Sequence, residues 1–159
     1  MTKVHPKAVI LPIASSDVNP VVLTVWKKSL LFNCEGFTVF DTKGNLVFRV
    51  DNYAAANKAE VFLMDAAGRS LLTIRRKSSN KKIVAYTIEG SYAQRSCVVY
   101  DDKRRRVAEI KRKEAVGGVA FGGDVFRLVV LPEIDSAVAM ALLVVLDRMF
   151  GGSSRRFYT

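Results

Sequence analysis

The amino-acid sequence predicts a mainly β domain, in which an antiparallel meander rolls into a barrel around a hydrophobic C-terminal helix. Two patterns predict this architecture. Three pairs of short apolar runs are each joined by a connection that opens with Asp, and a later run of ten residues contains no polar side chain. Half of the 159 residues are apolar and a quarter are charged, as in one ordinary globular domain.

The three paired runs are predicted to be β-hairpins. Their connections begin at Asp41, Asp65 and Asp101, whose carboxylates can accept hydrogen bonds from nearby backbone N–H groups. Gly44 and Gly68 supply the positive φ that such tight turns require. The paired runs cover residues 37–40 and 46–50, 59–64 and 70–75, and 96–100 and 107–112. Three hairpins in succession indicate an antiparallel meander.

Further strands are predicted at residues 21–26, 83–88 and 125–131. In the last of these, Phe126, Leu128 and Val130 share one face and Arg127 lies on the other, because side chains alternate along a strand. A short strand at 119–121 has Gly pairs on both sides, which predict sharp bends. The whole chain therefore contains nine or ten predicted strands.

One helix is predicted at residues 136–150, with Asp135 as its N-cap and Gly151 at its C-terminal stop. Residues 137–146 are apolar on every helical face, so other elements must surround the helix. A sheet that covers one face is an alternative, but it leaves half of the helix in water. A membrane anchor is another, although a bilayer span requires about 20 apolar residues. The predicted core positions of the helix are Val138, Met140, Leu142, Leu143, Val145 and Leu146.

The chain is predicted to form one domain at residues 21–152, between a flexible N-terminal arm at 1–20 and a tail at 153–159. The arm contains three of the four prolines and little periodicity. The two cysteines, Cys34 and Cys97, form no C-x-x-C pair, so an intracellular protein with reduced thiols is expected. Cys97 lies in an apolar run, where we expect it to pack as a small apolar side chain.

Several stretches resemble the plant LURP-one-related family, which shares the Tubby C-terminal-like fold. They are TVWKKSLLF at 24–32, FTVFDTKGNLVFRVDNY at 37–53, VFLMDAAGRSLLTIRRK at 61–77 and the long run at 88–150 that begins IEGSYAQRSC. The resemblance implies a β-barrel with a central C-terminal helix. The chain departs from the family pattern in the middle, where only residues 78–85 stand in place of several strands.

The short middle segment leaves open whether the barrel closes. A helix with its side chains is about 10–12 Å wide, and barrels that enclose a helix have about eleven strands. Nine or ten predicted strands fall short of that number, so strands are missing relative to the family. An unpaired strand edge at such a gap promotes association between chains.

The sequence gives little support for catalysis, and a non-enzymatic protein is expected. The one histidine, His5, lies in the predicted arm, where no rigid element positions it as a general base. The sequence contains no Cys/His ligand spacing, EF-hand loop or phosphate-binding Gly motif, so neither a metal nor a cofactor is expected.

Basic residues give the best functional lead. The chain carries a formal net charge of +10, and residues 75–113 hold +9 of it through thirteen Lys/Arg and four Asp/Glu. Such a block attracts polyanions, although a solvated surface that maintains solubility has the same composition. Arg112 is predicted to share a face with Ala108 and Ile110, so it must lie at the barrel rim or find a partner. The candidate anion-binding residues are Arg75, Arg76, Lys77, Lys81, Lys82, Lys103, Arg104, Arg105, Arg106, Lys111 and Lys113.

The resemblance supplies three functional hypotheses. Tubby-like relatives bind phosphoinositide headgroups, which implies anionic membrane lipid as the partner of the basic residues and a role in plant defence. A protein-interaction scaffold in defence signalling is the second hypothesis. A membrane-tethered transcription regulator is the third, although the sequence lacks the interleaved aromatic residues of a nucleic-acid stacking surface. The expected location is the cytoplasm, the inner face of the plasma membrane or the nucleus.

Overall fold

The computed structural model of the chain describes residues 19–31, 35–52, 60–75 and 85–151. The predicted tail and almost all of the predicted arm lie outside these ranges. The described residues form ten elements: β1 (Val21–Trp26), β2 (Glu35–Phe40), β3 (Leu46–Asn52), β4 (Glu60–Asp65), β5 (Ser70–Arg75), β6 (Tyr86–Ser91), β7 (Ser96–Asp101), β8 (Arg106–Arg112), β9 (Val125–Val130) and α1 (Ser136–Phe150).

The nine strands form one antiparallel sheet in the order β5-β4-β3-β2-β1-β9-β8-β7-β6. Two meanders therefore meet where β1 pairs with β9. α1 follows β9 and packs against the sheet, where it contacts β5 and β9. The predicted meander and C-terminal helix are confirmed. β5 and β6 are the two edge strands of the sheet, and within the described ranges neither pairs with the other or with a further strand. The barrel is therefore open between them.

The strand registers place the connections at two opposite ends of the sheet. The turn end carries the three turns that open with Asp, at residues 41–45, 65–69 and 101–105, together with the N-terminus of α1. The loop end carries the turn at 92–95, the long loop at 113–124 and the C-terminus of α1.

The three turns at the turn end share one hydrogen-bonding pattern, as the sequence predicts. The Asp41 carboxylate accepts the backbone N–H groups of Lys43 and Asn45, both at 2.8 Å. Asp65 and Asp101 accept the equivalent groups two and four residues later. Each carboxylate therefore satisfies donors that the tight turn leaves without a backbone partner.

These carboxylates make the stability of the domain depend on pH in the acid range. A hydrogen bond from the Asn45 side chain lowers the pKa of Asp41 below its ordinary 3.8, and the backbone N–H of Arg69 does the same for Asp65. Burial raises the pKa of Asp101, but hydrogen bonds from Arg105 outweigh it and leave that pKa below 3.8 as well. A carboxyl with a lowered folded pKa stabilises the fold above its unfolded pKa, and the contribution is lost as the pH falls through the folded value.

We expect Asp101→Asn to lower the midpoint of thermal unfolding at neutral pH by about a few degrees. The difference from the wild type should shrink as the pH falls below the ordinary carboxyl pKa of 3.8. Thermal melts followed by circular dichroism, at a series of pH values from neutral to acid, measure this difference in midpoint. Asp102→Asn is the matched control, because Asp102 is exposed at the same turn. A difference in melting midpoint between Asp101→Asn and the wild type that stays constant down to about pH 2 would contradict the role assigned to Asp101.

The inner face of the sheet and one side of α1 enclose the apolar core. Phe126, Leu128 and Val130 are buried in it, while Arg127 lies on the outer face, as strand alternation predicts. Cys97 is buried in the same core, and burial raises the pKa of its thiol. The expectation that Cys97 packs as a small apolar side chain is confirmed.

α1 begins and ends at the predicted residues. The Asp135 carboxylate accepts the backbone N–H groups of Ala137 and Val138, and Gly151 follows the last helical residue. Of the six predicted core positions, three are buried, two are partly buried and one is exposed: Met140, Leu143 and Leu146; Val138 and Leu142; and Val145. The prediction that the sheet surrounds the helix is wrong on one side, because the sheet is open between β5 and β6.

Candidate functional site

The structure distributes the predicted basic residues that it describes over both ends of the sheet. The four cations at 103–106 lie at the turn end, whereas Arg75 and Lys113 lie at the loop end and Lys111 lies near it on β8. The remaining candidates, Arg76, Lys77, Lys81 and Lys82, lie outside the described residues. Arg106 and Lys111 do meet, at the Glu109 carboxylate, but the antiparallel connections direct Arg75 and the cations at 103–105 to opposite ends of the sheet.

Most cations at the turn end are paired with a neighbouring carboxylate. Arg105 pairs with Asp101 at 2.7 Å, and Arg104 pairs with Glu89 at 2.9 Å. Arg106 pairs with Glu109, which also holds Lys111 at 3.3 Å between Nζ and Oε2. These ion pairs reduce the positive electrostatic potential that the basic residues at 75–113 would otherwise produce. The turn end is therefore a weaker anion site than its composition predicts.

A second group of cations lies on the outer face of the sheet. Arg127 on β9 stands directly between Lys111 on β8 and Thr24 on β1. Lys113 reaches the same place, with its Nζ 3.5 Å from Thr24 Oγ1. Arg127 is half-buried, yet it makes no ion pair or hydrogen bond within the described part of the chain. A half-buried guanidinium without a carboxylate partner favours an anion from outside the chain.

The loop at 113–124 leaves the sheet beside this outer cationic group, which consists of Lys111, Lys113 and Arg127. Val116 and Val119 bond to each other across Gly117 and Gly118, whose φ angles of +59° and +79° fit a two-residue hairpin turn. The two valines are 64% and 67% exposed. The predicted strand at 119–121 is therefore wrong, because the Gly pair closes a small hairpin whose tip extends away from the core.

The loop end as a whole exposes apolar side chains next to cations. Seven of the eleven large apolar side chains that are exposed in the described ranges lie there: Trp26, Leu30, Val116, Val119, Phe121, Met149 and Phe150. Lys28 lies over the Trp26 ring at 5.0 Å, and Lys113 lies over the Phe121 ring at 5.0 Å. Arg112 is also exposed at this end, where its Nε donates to the Gln94 carbonyl at 3.0 Å, as expected for a rim residue.

Partly buried polar contacts hold the loop end to the helix. The Tyr92 hydroxyl donates to Asp147 Oδ1 at 3.0 Å, and Lys27 pairs with the same oxygen at 3.0 Å. Burial raises the pKa of Tyr92 above its ordinary 10.0, so its hydroxyl remains a donor to Asp147 in alkaline solution as well. Arg95 lies over the rings of Tyr92 and Phe126 and donates from Nε to the Gly123 carbonyl at 2.9 Å. The loop at 113–124, which carries the hairpin of Val116 and Val119, is thus fastened to Arg95 at Gly123.

The sequence interpretation missed Trp26, Val116, Val119 and Arg127 as candidate site residues. A two-residue Gly-Gly connection between valines is a hairpin signal, and it was available in the sequence. Arg127 was placed on the outer face, but its meeting with Lys113 depends on strand pairing that the sequence does not contain. Among the described residues, no group of His, Cys, Asp or Glu side chains is arranged to hold a metal ion. No helix among the described residues, α1 included, is long and apolar enough to cross a bilayer.

Comparison with known proteins agrees with this fold. The chain is similar to an X-ray structure of an Arabidopsis thaliana protein, with a TM-score of 0.63 at 23% identity, over 82% of this chain and 91% of that one. It is 46% identical to Protein LURP-one-related 8 of Arabidopsis thaliana, over 96% of this chain and all of the relative. It is 41% identical to LURP-one-related 5 of the same plant, over 81% of this chain and 83% of the relative.

A family model for LURP-one-related proteins matches this chain in two parts, at residues 21–87 and 78–147. The two parts contain every strand of the sheet and most of α1. Given this match and the identity to its relatives, the chain belongs to the LURP-one-related family.

Proposed function

We propose that this domain is a non-enzymatic module that binds anionic membrane lipid, phosphoinositides included, through its loop end. The observation that carries the proposal is the exposed hairpin of Val116 and Val119 beside the outer cationic group. Exposed apolar side chains at a loop tip enter the interface of a bilayer, and neighbouring cations contact the lipid phosphates. The exposed Trp26 is also suited to this interfacial region, since Trp prefers the membrane–water interface.

Neither the apolar nor the cationic residues bind a membrane tightly alone. Each Lys or Arg near an anionic surface contributes about 1 kcal/mol, and burial of a valine side chain contributes about 1.5 kcal/mol. Together, Lys113, Arg127, Val116 and Val119 therefore give reversible binding rather than permanent insertion. Dependence on both contributions distinguishes this proposal from simple attraction between a basic protein and any polyanion.

Vesicle sedimentation tests the proposal. Neutral phosphatidylcholine vesicles are compared with vesicles that contain phosphatidylserine, and with vesicles that contain a phosphoinositide at equal total charge. We expect binding to the two anionic compositions alone, and we expect it to weaken as salt shortens the Debye length from about 10 Å at 0.1 M. Stronger binding to the phosphoinositide at equal charge would show headgroup preference. Binding of DNA with a steep salt dependence and no vesicle binding would favour a nucleic-acid partner and refute the proposal.

Removal of two positive charges from the outer cationic group should weaken vesicle binding strongly. We expect Lys113→Gln with Arg127→Gln to reduce the partition onto anionic vesicles by roughly thirtyfold, which corresponds to about 1 kcal/mol for each charge. Arg69→Gln with Lys103→Gln is the matched control, since it removes two exposed positive charges from two other turns at the turn end. Equal losses in both double variants would mean that net charge, rather than the outer cationic group, determines binding.

A further inference from the structure

A cleft opens on the outer face of the sheet and extends from the middle of β1 and β9 towards the turn end. Its volume of about 400 Å³ lies within the range of about 300–1,000 Å³ that is usual for small-molecule sites. β1 contributes Val22 and Thr24, which share a face because side chains alternate along a strand. Phe40 of β2 and Arg127 of β9 stand directly beside Thr24. Lys113 reaches the cleft from the end of β8, so apolar and cationic side chains meet there.

The two cations of the cleft, Arg127 and Lys113, have no carboxylate partner among the described residues. Lys113 Nζ lies 3.5 Å from Thr24 Oγ1 and 5.0 Å from the centre of the Phe121 ring, and neither of these groups is charged. The Thr24 hydroxyl accepts the hydrogen bond from Lys113 and keeps its own proton available to a ligand. One side of the cleft therefore presents a guanidinium, an ammonium and a hydroxyl, with two positive charges that no described carboxylate neutralises.

The residues outside the described ranges offer little negative charge to these cations. They hold nine Lys/Arg but only one acidic side chain, Asp17, because the other fourteen Asp/Glu of the chain lie in the described ranges. A single carboxylate leaves one of the two cations unneutralised. An anion from outside the chain is therefore the partner that the charge of Arg127 and Lys113 requires.

We propose that the cleft binds a phosphate monoester of a small hydroxylated molecule, such as a sugar phosphate. A phosphate monoester carries a charge of about −1.5 to −2 at neutral pH, which matches the two cations, whereas a carboxylate carries a single charge. The planar guanidinium of Arg127 suits two phosphate oxygens. The Lys113 ammonium and the Thr24 hydroxyl suit the third oxygen, since they already lie side by side. The cleft thus selects its anion by charge and by the number of donors.

Asp41 also lines the cleft and restricts the rest of the ligand. Its Oδ1 accepts the backbone N–H groups of Lys43 and Asn45, whereas within the described residues its Oδ2 accepts only the Asn45 side chain, at 3.0 Å. Oδ2 therefore has an acceptor position for a ligand hydroxyl. Its negative charge repels a second phosphate, which disfavours polyphosphates and nucleic acid. Val22 and Phe40 provide apolar surface for the C–H groups of a sugar ring.

Ligand binding in the cleft does not depend on membrane binding, although both use Arg127 and Lys113. The cleft extends from these cations towards the turn end, whereas the exposed Val116 and Val119 lie at the loop end. A phosphate monoester reaches the cleft from one of two sources, a free sugar phosphate or a lipid headgroup such as that of phosphatidylinositol monophosphate. The two sources differ in whether the bound molecule holds the protein on a vesicle.

Isothermal titration calorimetry of the full chain with glucose 6-phosphate tests the cleft. We expect saturable binding with a dissociation constant below about 1 mM, inorganic phosphate to bind at least about tenfold more weakly, and glucose not to bind. Arg127→Gln should raise the dissociation constant by about tenfold or more, and Thr24→Val by about threefold or more, because a bond from a charged donor is worth more than one from a hydroxyl. Arg69→Gln is the matched control, since it removes an exposed Arg from another turn. Circular dichroism verifies that each variant is folded.

Vesicle sedimentation separates the cleft from the loop end. Thr24→Val should leave the partition onto phosphatidylserine vesicles unchanged, because this lipid has no phosphate monoester. Val116→Ala with Val119→Ala should lower that partition and leave the binding of glucose 6-phosphate unchanged. Release of the protein from phosphatidylinositol monophosphate vesicles by glucose 6-phosphate would identify the lipid headgroup as the source of the ligand. Binding of glucose 6-phosphate without such release would identify a free sugar phosphate.

Four results would overturn this ligand site. Three of them are no saturable binding of glucose 6-phosphate, equal binding by the wild type and Arg127→Gln, and equal affinity for glucose 6-phosphate and inorganic phosphate. The fourth is at least about tenfold tighter binding in Asp17→Asn, since the chain itself would then supply the anion. A lack of vesicle binding, by contrast, would refute the proposed function and leave the cleft as a site for a free sugar phosphate.

Discussion

Leu143→Asp is expected to prevent the domain from folding. Leu143 lies in the middle of α1 and is 1% exposed, so the variant removes a core side chain and buries a carboxylate. Loss of a buried leucine alone costs about 2–5 kcal/mol, and a buried carboxylate without a partner adds several more. The sum approaches the whole stability of an ordinary domain, which is about 5–15 kcal/mol. We expect insoluble protein, or a chain whose circular dichroism shows no cooperative unfolding.

Val145→Asp is the matched control for this result. It introduces the same carboxylate two residues later on the same helix, but Val145 is 37% exposed, on the side of α1 away from Leu143. Water can solvate the new charge there, so the variant should fold, and its free energy of unfolding should fall by about 1 kcal/mol. Similar loss of folding in both variants would mean that α1 is enclosed on all sides. A soluble Leu143→Asp protein that unfolds cooperatively would mean that α1 does not occupy the core.

The elements of this fold could be predicted from the sequence because their signals are local. Asp41, Asp65 and Asp101 mark turns through bonds to residues two and four positions later. Asp135 and Gly151 mark the limits of α1 in the same way. Strand alternation was sufficient to place Arg127 on the outer face, since it requires no knowledge of the neighbouring strand.

The arrangement of the site could not be predicted, because it depends on which strand ends meet. The basic residues at 103–105 and at 112–113 are close in sequence, yet β8 separates them along its length. Arg127 meets Lys113 only because β9 pairs with β8 on one side and β1 on the other. The burial of α1 could be predicted only in part for the same reason. The sequence of α1 shows that other elements must cover it, but whether the sheet closes around it depends on strands contributed by the middle of the chain.

Disruption of a buried polar network at the loop end is expected to lower the stability of the domain by less than Leu143→Asp does, but by more than the other substitutions considered above. The Asp51 side chain is fully buried, and it accepts hydrogen bonds from Ser29 Oγ at 2.6 Å and Arg49 Nε at 2.7 Å. Ser29 Oγ in turn accepts the backbone N–H of Leu31 at 3.1 Å. The network therefore fastens the segment that carries Lys28 and Leu30 to strand β3.

Asp51→Ala should lower the free energy of unfolding by about 3 kcal/mol, because it leaves the Arg49 guanidinium without its carboxylate. Urea denaturation measures the loss, which should appear in the midpoint while the slope stays constant. Asp51→Asn keeps a hydrogen-bond acceptor for Ser29 and should lose less. Replacement of both partners, as Arg49→Met with Asp51→Leu, should recover much of the loss, since neither charge is then left alone. A loss below about 1 kcal/mol in Asp51→Ala would place the pair in the class of exposed ion pairs, and the segment at 27–31 would then depend on other contacts for its position.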